Sequence, residues 1–166
     1  MKYSQVKEHI VIPVLKQMYL PYSEEAVELL LMTMAHESNG GKYIKQIEGP
    51  ALGIYQMEPS THDDIWNNYL TSKPRLSADA WEQMGRTMYS PKYLLIGNLN
   101  YATAMARIHY WRVSEALPKK ADFLPQHGMD FLRALAQYAK DHYNTHLGKA
   151  TPEKYLSDYL RWRNEG

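Results

Sequence analysis

The sequence predicts a single α+β domain that is predominantly α-helical, with one small irregular lobe after the second helix. Apolar residues recur at helical spacing through most of the chain, between recognisable capping residues. The segment Tyr43–Met57 instead has no helical period and contains Gly49, Pro50 and Gly53, so it is expected to be loop with short irregular strands. The 166 residues are enough for one domain over positions 1–166 with a substantial core.

Two helices precede this lobe. Tyr3–Tyr19 carries apolar residues along one face and is expected to bend at Pro13. Ser23 is a natural N-cap for the second helix, which has two acidic residues in its first turn. The apolar positions of that helix continue up to Glu37, and Gly40–Gly41 ends it. Glu37 is therefore expected at a helix C-terminus, half embedded in apolar neighbours and half open.

Further helices follow the lobe. Serine N-caps predict the first two, and a long run of apolar positions predicts the third. A glycine stops the fourth, and a Thr-Pro-Glu sequence opens the last with a cap, a proline at the first position and an acid. These helices are Ser60 to about Leu70 with Asp63 at the capping-box position, Ser77–Met84, Asn98–Val113, Met129–Leu147 and the helix opening at Thr151. The segments Thr71–Ser77 and Pro118–Gly128 are predicted loops.

Composition excludes several classes of function. Lys and Arg total 19 against 18 Asp and Glu, so a nucleic-acid partner has no electrostatic support. The absence of Cys excludes disulfides and Cys-based metal sites. The polar N-terminus, Met1–Glu8, is unlike a signal peptide. The apolar stretch Ala26–Ala35 is short and interrupted by Glu28, so no stable membrane insertion is expected.

Two histidines on one helix face raise the question of a metal. His142 and His146 are spaced i, i+4, as in some metal sites. The chain has no Cys, and no third ligand lies nearby in sequence. We therefore expect no metal and no organic cofactor.

Glu37 is the strongest candidate for chemistry. The second helix ends in MAHESNGG at Met34–Gly41, and GPALGIYQMEPST follows at Gly49–Thr61. A negative charge at a helix C-terminus is mildly unfavourable, so the position is not chosen for stability. Burial against apolar side chains raises the pKa of a carboxyl and keeps its proton available for donation near neutral pH. The residues alone leave open whether Glu37 is such an acid or an ordinary solvated one.

Several short motifs resemble the signature of the lytic transglycosylase and goose-type lysozyme superfamily. That signature reads Glu-Ser, Gly-Ala-x-Gly-Leu-Met-Gln and Pro-x-Thr, followed by an Asn-Ile/Leu helix and an Ala-Leu-Ala-Ala-Tyr segment. The matching segments here are Glu37–Ser38, Ala51 to Gln56, Pro59 to Thr61, Asn98–Leu99 and Ala134 to Tyr138. The resemblance implies a lysozyme-like fold that cleaves the bond between N-acetylmuramic acid and N-acetylglucosamine in bacterial peptidoglycan. Together the motifs are most similar to those of compact phage-encoded members.

The resemblance also implies roles for individual residues. Glu37 corresponds to the catalytic acid, and Ser38 to a residue that orients it or contacts substrate. Gln56 would hold the glycine turn or contact a sugar amide, and Tyr138 corresponds to the tyrosine that approaches the acid. Tyr and Trp, with 14 and 4 copies, have flat apolar faces and polar edges that suit sugar rings. The further substrate-binding candidates are Tyr55 and Asn144. Tyr110 and Tyr143 are additional candidates for lining sugar subsites.

The role of Glu58 distinguishes two possible reactions, hydrolysis and transglycosylation. An inverting hydrolase needs a second carboxyl about 6.5–9.5 Å from the acid, and a retaining one needs it at about 5–5.5 Å. A lytic transglycosylase instead uses the muramic C6 hydroxyl and a single Glu. Glu58 offers a hydrolytic route as the second catalytic residue, unless it points to solvent. Glu48, Asp63 and Asp64 are weaker candidates for that role.

The resemblance and the polar N-terminus together predict where the protein is made and where it acts. We expect a monomer, made in the host cytoplasm without a signal peptide, that acts on the cell wall after release or as part of a virion. Two alternatives from other classes remain open. One is a non-catalytic protein that binds wall glycans or is a structural part of a particle, and the other is an unrelated helical interaction module.

Overall fold

The fold is predominantly α-helical, as predicted from the sequence. The computed structural model describes residues 1–86, 88, 90–143 and 150–165, apart from the side chain of Gln126. Within these residues the β structure consists of two isolated antiparallel bridges, Lys45 with Leu52 and Leu52 with Met57. The predicted β component is therefore reduced to these contacts, and no sheet is formed in the described part of the chain.

The helices are labelled in chain order. Helix α1 covers residues 3–17 and includes a π-helical turn at Lys7–Val11. Helix α3 covers residues 59–72, with a π-helical turn at Ile65–Tyr69. The others are α2 (Glu24–Ser38), α4 (Pro74–Met84), α5 (Pro91–Gly97), α6 (Leu99–Trp111), α7 (Gly128–His142) and α8 (Pro152–Glu165), with short 3₁₀ turns at Lys120–Asp122 and Pro125–His127.

Helices α2 and α6 form the centre of the core. Nearly every residue from 26 to 35 and from 101 to 110 is buried, as expected of helices that are apolar on all sides. Thr33 of α2 and Tyr110 of α6 are joined by a hydrogen bond between their hydroxyl groups at 2.7 Å. Helix α2 also packs against α7 and α8, and α6 packs against α4 and α5. No described helix has the length and apolar character needed to cross a membrane.

Capping side chains explain where three of the helices begin. Ser23 Oγ accepts from the amide of Ala26 at 3.1 Å, so this predicted cap is confirmed. Asn98 Oδ1 accepts from the amide of Tyr101 at 2.9 Å, so Asn98 is the cap of α6 rather than its first helical residue. Thr151 caps α8 in the same way through the amide of Lys154.

Three helix boundaries and one further helix differ from expectation. Helices α3 and α4 begin at Pro59 and Pro74 rather than after Ser60 and Ser77, because proline fits the first helical position, where its missing N–H is not needed. Helix α5 was not predicted, since its seven residues are too few to show a period. Helix α7 ends at His142, and residues 144–149 lie outside the described part of the chain.

The segment between α2 and α3 is held by a few specific contacts. Asn39 adopts the left-handed conformation with φ of 52°, which ends α2 and brings the Gly40 amide to the Met34 carbonyl at 3.2 Å. Leu52 and Met57 exchange two backbone hydrogen bonds of 2.9 and 3.0 Å. These contacts fold the segment back so that it faces the C-terminal end of α2.

Candidate active site

Glu37 lies on the last turn of α2, where its side chain faces a cleft. The hydroxyl of Tyr155, on α8, donates a hydrogen bond to Glu37 Oε1 at 2.7 Å. Burial raises the pKa of Glu37 from 4.5 to about 7, and the Tyr155 hydrogen bond opposes that rise. Among the described residues, no Lys, Arg or His forms an ion pair with this carboxyl. Glu37 therefore keeps its proton near neutral pH.

Tyr155 is held by a polar cluster between α2 and α8. Its side chain is fully buried, and its ring stacks on the imidazole of His36 with ring centroids 3.9 Å apart. His36 Nδ1 in turn contacts Asp158 Oδ2 at 2.9 Å. Asp158 also pairs with Lys154 and Arg161, so two cations compensate its buried charge. This cluster holds α8 against α2 and sets the direction of the Tyr155 hydroxyl.

Two adjoining cavities form the cleft at Glu37. The first has a volume of about 270 Å³, and its lining includes Glu58, Thr61, His109 and Tyr143. The second, of about 250 Å³, shares Glu37, Gln46 and Gln56 with the first. This second cavity is lined further by Tyr43, Lys45 and Ile47. Together the two cavities can accommodate a ligand longer than either one alone, such as part of a polymer chain.

Gln56 holds the glycine turn and also lines the cleft. Its Nε2 donates to the Gly53 carbonyl at 2.8 Å, and Gln56 itself adopts a positive φ of 47°. Gly53 has φ of 76°, and a Cβ there would clash with the Leu95 carbonyl oxygen of α5. The Gly-x-x-Gln spacing thus forms a tight turn that packs on α5 and presents Gln56 beside Glu37.

Two predicted substrate contacts lie in the interior. Ser38 is buried, and its hydroxyl donates to the Met34 carbonyl and accepts from the Gly41 amide. It therefore orients the end of α2 rather than touching a ligand. Tyr55 is buried too, with its hydroxyl 3.3 Å from that of Thr103, so the prediction that its side chain binds substrate is wrong. The Tyr55 carbonyl instead accepts from the Tyr143 hydroxyl at 2.9 Å, which positions Tyr143 on the cleft wall.

Tyr138 does not take the place predicted for it. Its hydroxyl donates to the Glu115 carbonyl at 3.0 Å, and its ring stacks with that of Tyr110. Tyr155 is the tyrosine that reaches Glu37, because α8 rather than α7 presents a tyrosine to the end of α2. Asn144, the remaining predicted substrate contact, lies outside the described residues.

Glu58 lies at the N-cap position of α3, is exposed, and lines the same cleft as Glu37. Ser60 Oγ lies 3.4 Å from its Oε2. Of the three weaker carboxylate candidates, Glu48 is exposed and is not among the residues that line the two cavities, and the other two are engaged elsewhere. Asp63 pairs with His62 and Lys92, and Asp64 pairs with Arg112. Glu58 is thus the second acid that the cleft offers.

His109, on α6, is a cleft residue that sequence reasoning missed. Its Nδ1 lies 3.1 Å from Arg112 Nη2, and a guanidinium can only donate, so Nδ1 accepts. In the neutral ring the hydrogen is therefore on Nε2. Burial, followed by the charge of Arg112, lowers the pKa of His109 to about 4. The imidazole, which lines the same cavity as Glu37, is therefore neutral. The i, i+3 spacing of His109 and Arg112 is the sequence feature from which their contact could have been predicted.

Known proteins provide no match for this chain. No protein-family model matches it, and no curated protein or solved structure does. The resemblance to the lysozyme-like superfamily therefore remains one of short motifs.

The described part of the chain offers no cluster of side chains suited to a metal ion. Residues 1–86, 88, 90–143 and 150–165 contain no cluster of three or more His, Asp or Glu side chains suited to a metal ion. His142 pairs with Glu115 at 3.0 Å, and His146 lies outside the described residues.

Proposed function

We propose that the protein is a peptidoglycan glycosidase with a lysozyme-like fold, in which Glu37 is the general acid. The observation that carries this proposal is a carboxyl with a pKa raised to about 7 that lines both of the adjoining cavities of the cleft. Such a group is still protonated near neutral pH and can protonate a leaving oxygen in an extended substrate. The motifs around Glu37 and Gln56 resemble those of the superfamily, and from this resemblance we infer that the substrate is the glycan of the bacterial cell wall.

The proposed reaction begins with proton transfer. Glu37 gives its proton to the glycosidic oxygen that leaves with N-acetylglucosamine, and the bond from that oxygen to the muramic C1 breaks. Positive charge develops at C1 and on the ring oxygen. The Glu37 carboxylate left behind accepts the hydrogen bond from Tyr155, which stabilises the newly formed charge.

Two routes complete the reaction. In hydrolysis, Glu58 takes a proton from a water molecule as the water oxygen bonds to C1, which leaves a reducing muramic end. In the transglycosylase route, the muramic C6 hydroxyl bonds to C1 and its proton returns to Glu37, which leaves an anhydro end. Glu58 lines the cleft, and this favours hydrolysis as the first choice.

The polar groups of the cleft suit an uncharged acetamido sugar. Gln46, Gln56 and Thr61 are neutral side chains that can exchange hydrogen bonds with hydroxyl and acetamido groups. His109 is held neutral, so it adds no positive charge that would ionise Glu37. Tyr43 and Tyr143 supply aromatic surface in the two halves of the cleft.

The deciding experiment is mass spectrometry of muropeptides released from purified peptidoglycan. Wild type, Glu37→Gln and Glu82→Gln are compared, since Glu82 is an exposed acid on α4 away from the cleft. We expect release by wild type and the Glu82 variant, and none by the Glu37 variant. Equal release by all three proteins, or no release by any of them from several wall types, would reject the proposal. Reducing ends identify a hydrolase, and products lighter by one water identify a transglycosylase.

The biological setting belongs to the same proposal. We propose phage-driven wall degradation, in which the protein acts either as an endolysin at lysis or as a component of the infecting particle. Proteomic analysis of purified virions separates the two, since only the second places the protein in the particle. A protein that bound peptidoglycan equally well before and after the Glu37→Gln change, with no products, would instead be a wall-binding protein.

A further inference from the structure

Arg107, on α6, is a buried cation with no anionic partner among the described residues. The side chain is 6% exposed, and its Nε atom is buried without any hydrogen-bond partner. Nη2 has a single long contact, 3.4 Å to the Pro21 carbonyl. Among the described residues, no Asp or Glu forms an ion pair with this guanidinium.

This situation is costly for the protein alone. Buried charged groups in folded proteins are normally paired and hydrogen-bonded, because desolvation of an unpaired ion is very unfavourable. Burial lowers the pKa of Arg107, yet a guanidinium remains protonated in proteins. The charge therefore persists, and the free donors of Arg107 need an acceptor.

A cavity of about 260 Å³ lies against Arg107. It is formed where the C-terminal end of α6 meets the segment that follows it and the middle of α7, and Trp111, Val113, Ser114, Leu117 and Tyr138 line it. The Arg107 guanidinium carbon lies 5.1 Å from the centroid of the Trp111 ring, which orients the guanidinium plane. We call this the Arg107 cavity.

The acid nearest to this cavity is already engaged. Glu115 lies on the cavity lining, but its carboxylate pairs with His142 Nε2 at 3.0 Å, and its side chain is 68% exposed. The Tyr138 hydroxyl donates to the Glu115 carbonyl, so it too is occupied. The Ser114 hydroxyl and the Arg107 guanidinium remain as polar groups that can bind a ligand.

We propose that the Arg107 cavity is a binding site for a small anion, a carboxylate or phosphate group, held by the Arg107 guanidinium. A guanidinium presents parallel N–H donors whose geometry matches the oxygens of either group. Ser114 adds one further hydrogen bond. The walls from Val113, Ala116 and Leu117 accommodate a short apolar substituent next to the anionic head. This site is separate from the Glu37 cleft, and it stands whether or not the protein cleaves peptidoglycan.

Thermal unfolding at constant ionic strength tests the site directly. The unfolding temperature of the whole protein is measured in sodium chloride, sodium phosphate and sodium propionate, with neutral propionamide as a further comparison. At a hundredfold excess over Kd, phosphate or propionate is expected to raise the unfolding temperature by about 5–10 °C over chloride. Propionamide is expected to have no effect. The larger of the two anion effects identifies the preferred group.

Two variants and one spectroscopic measurement complete the test. Arg107→Met is expected to abolish the anion effect, whereas the exposed Arg86→Met retains it. If Arg107→Met fails to fold, titration of wild type with phosphate or propionate is followed by ¹H–¹⁵N NMR of the tryptophan indoles. Trp111 is expected to shift and Trp162, on α8, to stay unchanged. No stabilisation by either anion, an effect that survives in Arg107→Met, or an unmoved Trp111 signal would overturn the proposal.

Discussion

The hydroxyl of Tyr155 and the carboxyl of Glu37 are hydrogen-bonded at 2.7 Å, although 118 residues separate them along the chain. This hydrogen bond and the burial of Glu37 shift the pKa of the carboxyl in opposite directions. Burial raises the pKa of Glu37, while the hydrogen bond stabilises its ionised form and lowers the pKa. The acid therefore keeps its proton near neutrality and also has a donor ready for the charge that forms when the proton leaves.

Replacement of Tyr155 by Phe should move the pH profile of the proposed glycosidase activity. A general acid works only below its pKa, so activity falls as the pH rises through the pKa of Glu37. Without the Tyr155 hydrogen bond that pKa rises further, and the alkaline limb of kcat/KM should move upward by about one pH unit. The maximal rate should fall, since the Glu37 carboxylate loses its donor. Tyr93→Phe, at an exposed position, is the control. An alkaline limb that stays in place would contradict a direct effect on Glu37.

Replacement of Glu37 by Gln should stabilise the protein at high pH. The folded protein holds the Glu37 proton up to about pH 7, whereas the unfolded chain releases it near 4.5, so ionisation lowers stability as the pH rises between these values. The variant should match wild type at pH 4 and exceed it by as much as about 3 kcal/mol at pH 8. Urea unfolding of both proteins across this range measures the difference. A constant difference between the two would mean that the pKa of Glu37 is not raised.

Replacement of Glu58 by Gln should affect only one of the two proposed routes. If water is the acceptor, the variant loses the base that activates it, and formation of reducing ends should fall about 10²–10⁴-fold. If the muramic C6 hydroxyl is the acceptor, anhydro products should continue to form at a similar rate. Muropeptide mass spectrometry distinguishes these outcomes. Glu82→Gln again serves as the matched carboxyl-to-amide control.

His109 should remain neutral at the near-neutral pH at which Glu37 is proposed to act as an acid. Its lowered pKa of about 4 follows from burial and from the nearby Arg112 charge. Because the unfolded chain takes up this proton near 6.5, His109 should make the protein less stable as the pH falls from 6.5 towards 4. Long-range ¹H–¹⁵N NMR should show the Nε2–H tautomer down to pH 5. A doubly protonated ring at pH 6 would contradict the geometry.

Replacement of Gly53 by Ala should damage both the fold and the site. The new Cβ would meet the Leu95 carbonyl oxygen at a backbone conformation that alanine disfavours, and about 2–4 kcal/mol of stability should be lost. Activity should fall as well, because the same turn carries Gln56. Gly97→Ala is the control, since a Cβ there meets no atom within 4 Å. Chemical denaturation of both variants makes the comparison.

Local chemistry made parts of this fold predictable from sequence. Ser23 and Thr151 cap the helices that they were expected to cap, because an N-cap depends on a few neighbouring residues. Pro59 and Pro74 moved two helix starts towards the N-terminus for a reason that is equally local. The short helix α5 gave no periodic signal, so it was missed.

The candidate site was predictable only in part. Glu37, Gln56 and Glu58 lie on one cleft, and all three come from a single stretch of sequence with recognisable motifs. Tyr155 and His109 come from distant helices, and their place beside Glu37 depends on how α8 and α6 pack. A sequence alone does not distinguish Tyr138 from Tyr155, since both are aromatic residues on helices near the C-terminus.

The separation of Glu37 and Tyr155 in sequence also determines when, during synthesis, the Glu37 carboxyl becomes buried and gains its hydrogen-bond donor. A nascent chain displays Glu37 long before α8 leaves the ribosome, and until then the carboxyl is hydrated like any exposed glutamate. Only after α8 docks does the side chain lose water and gain its donor. The Glu37 carboxyl would therefore behave as an ordinary glutamate until α8 has been made and has docked on α2.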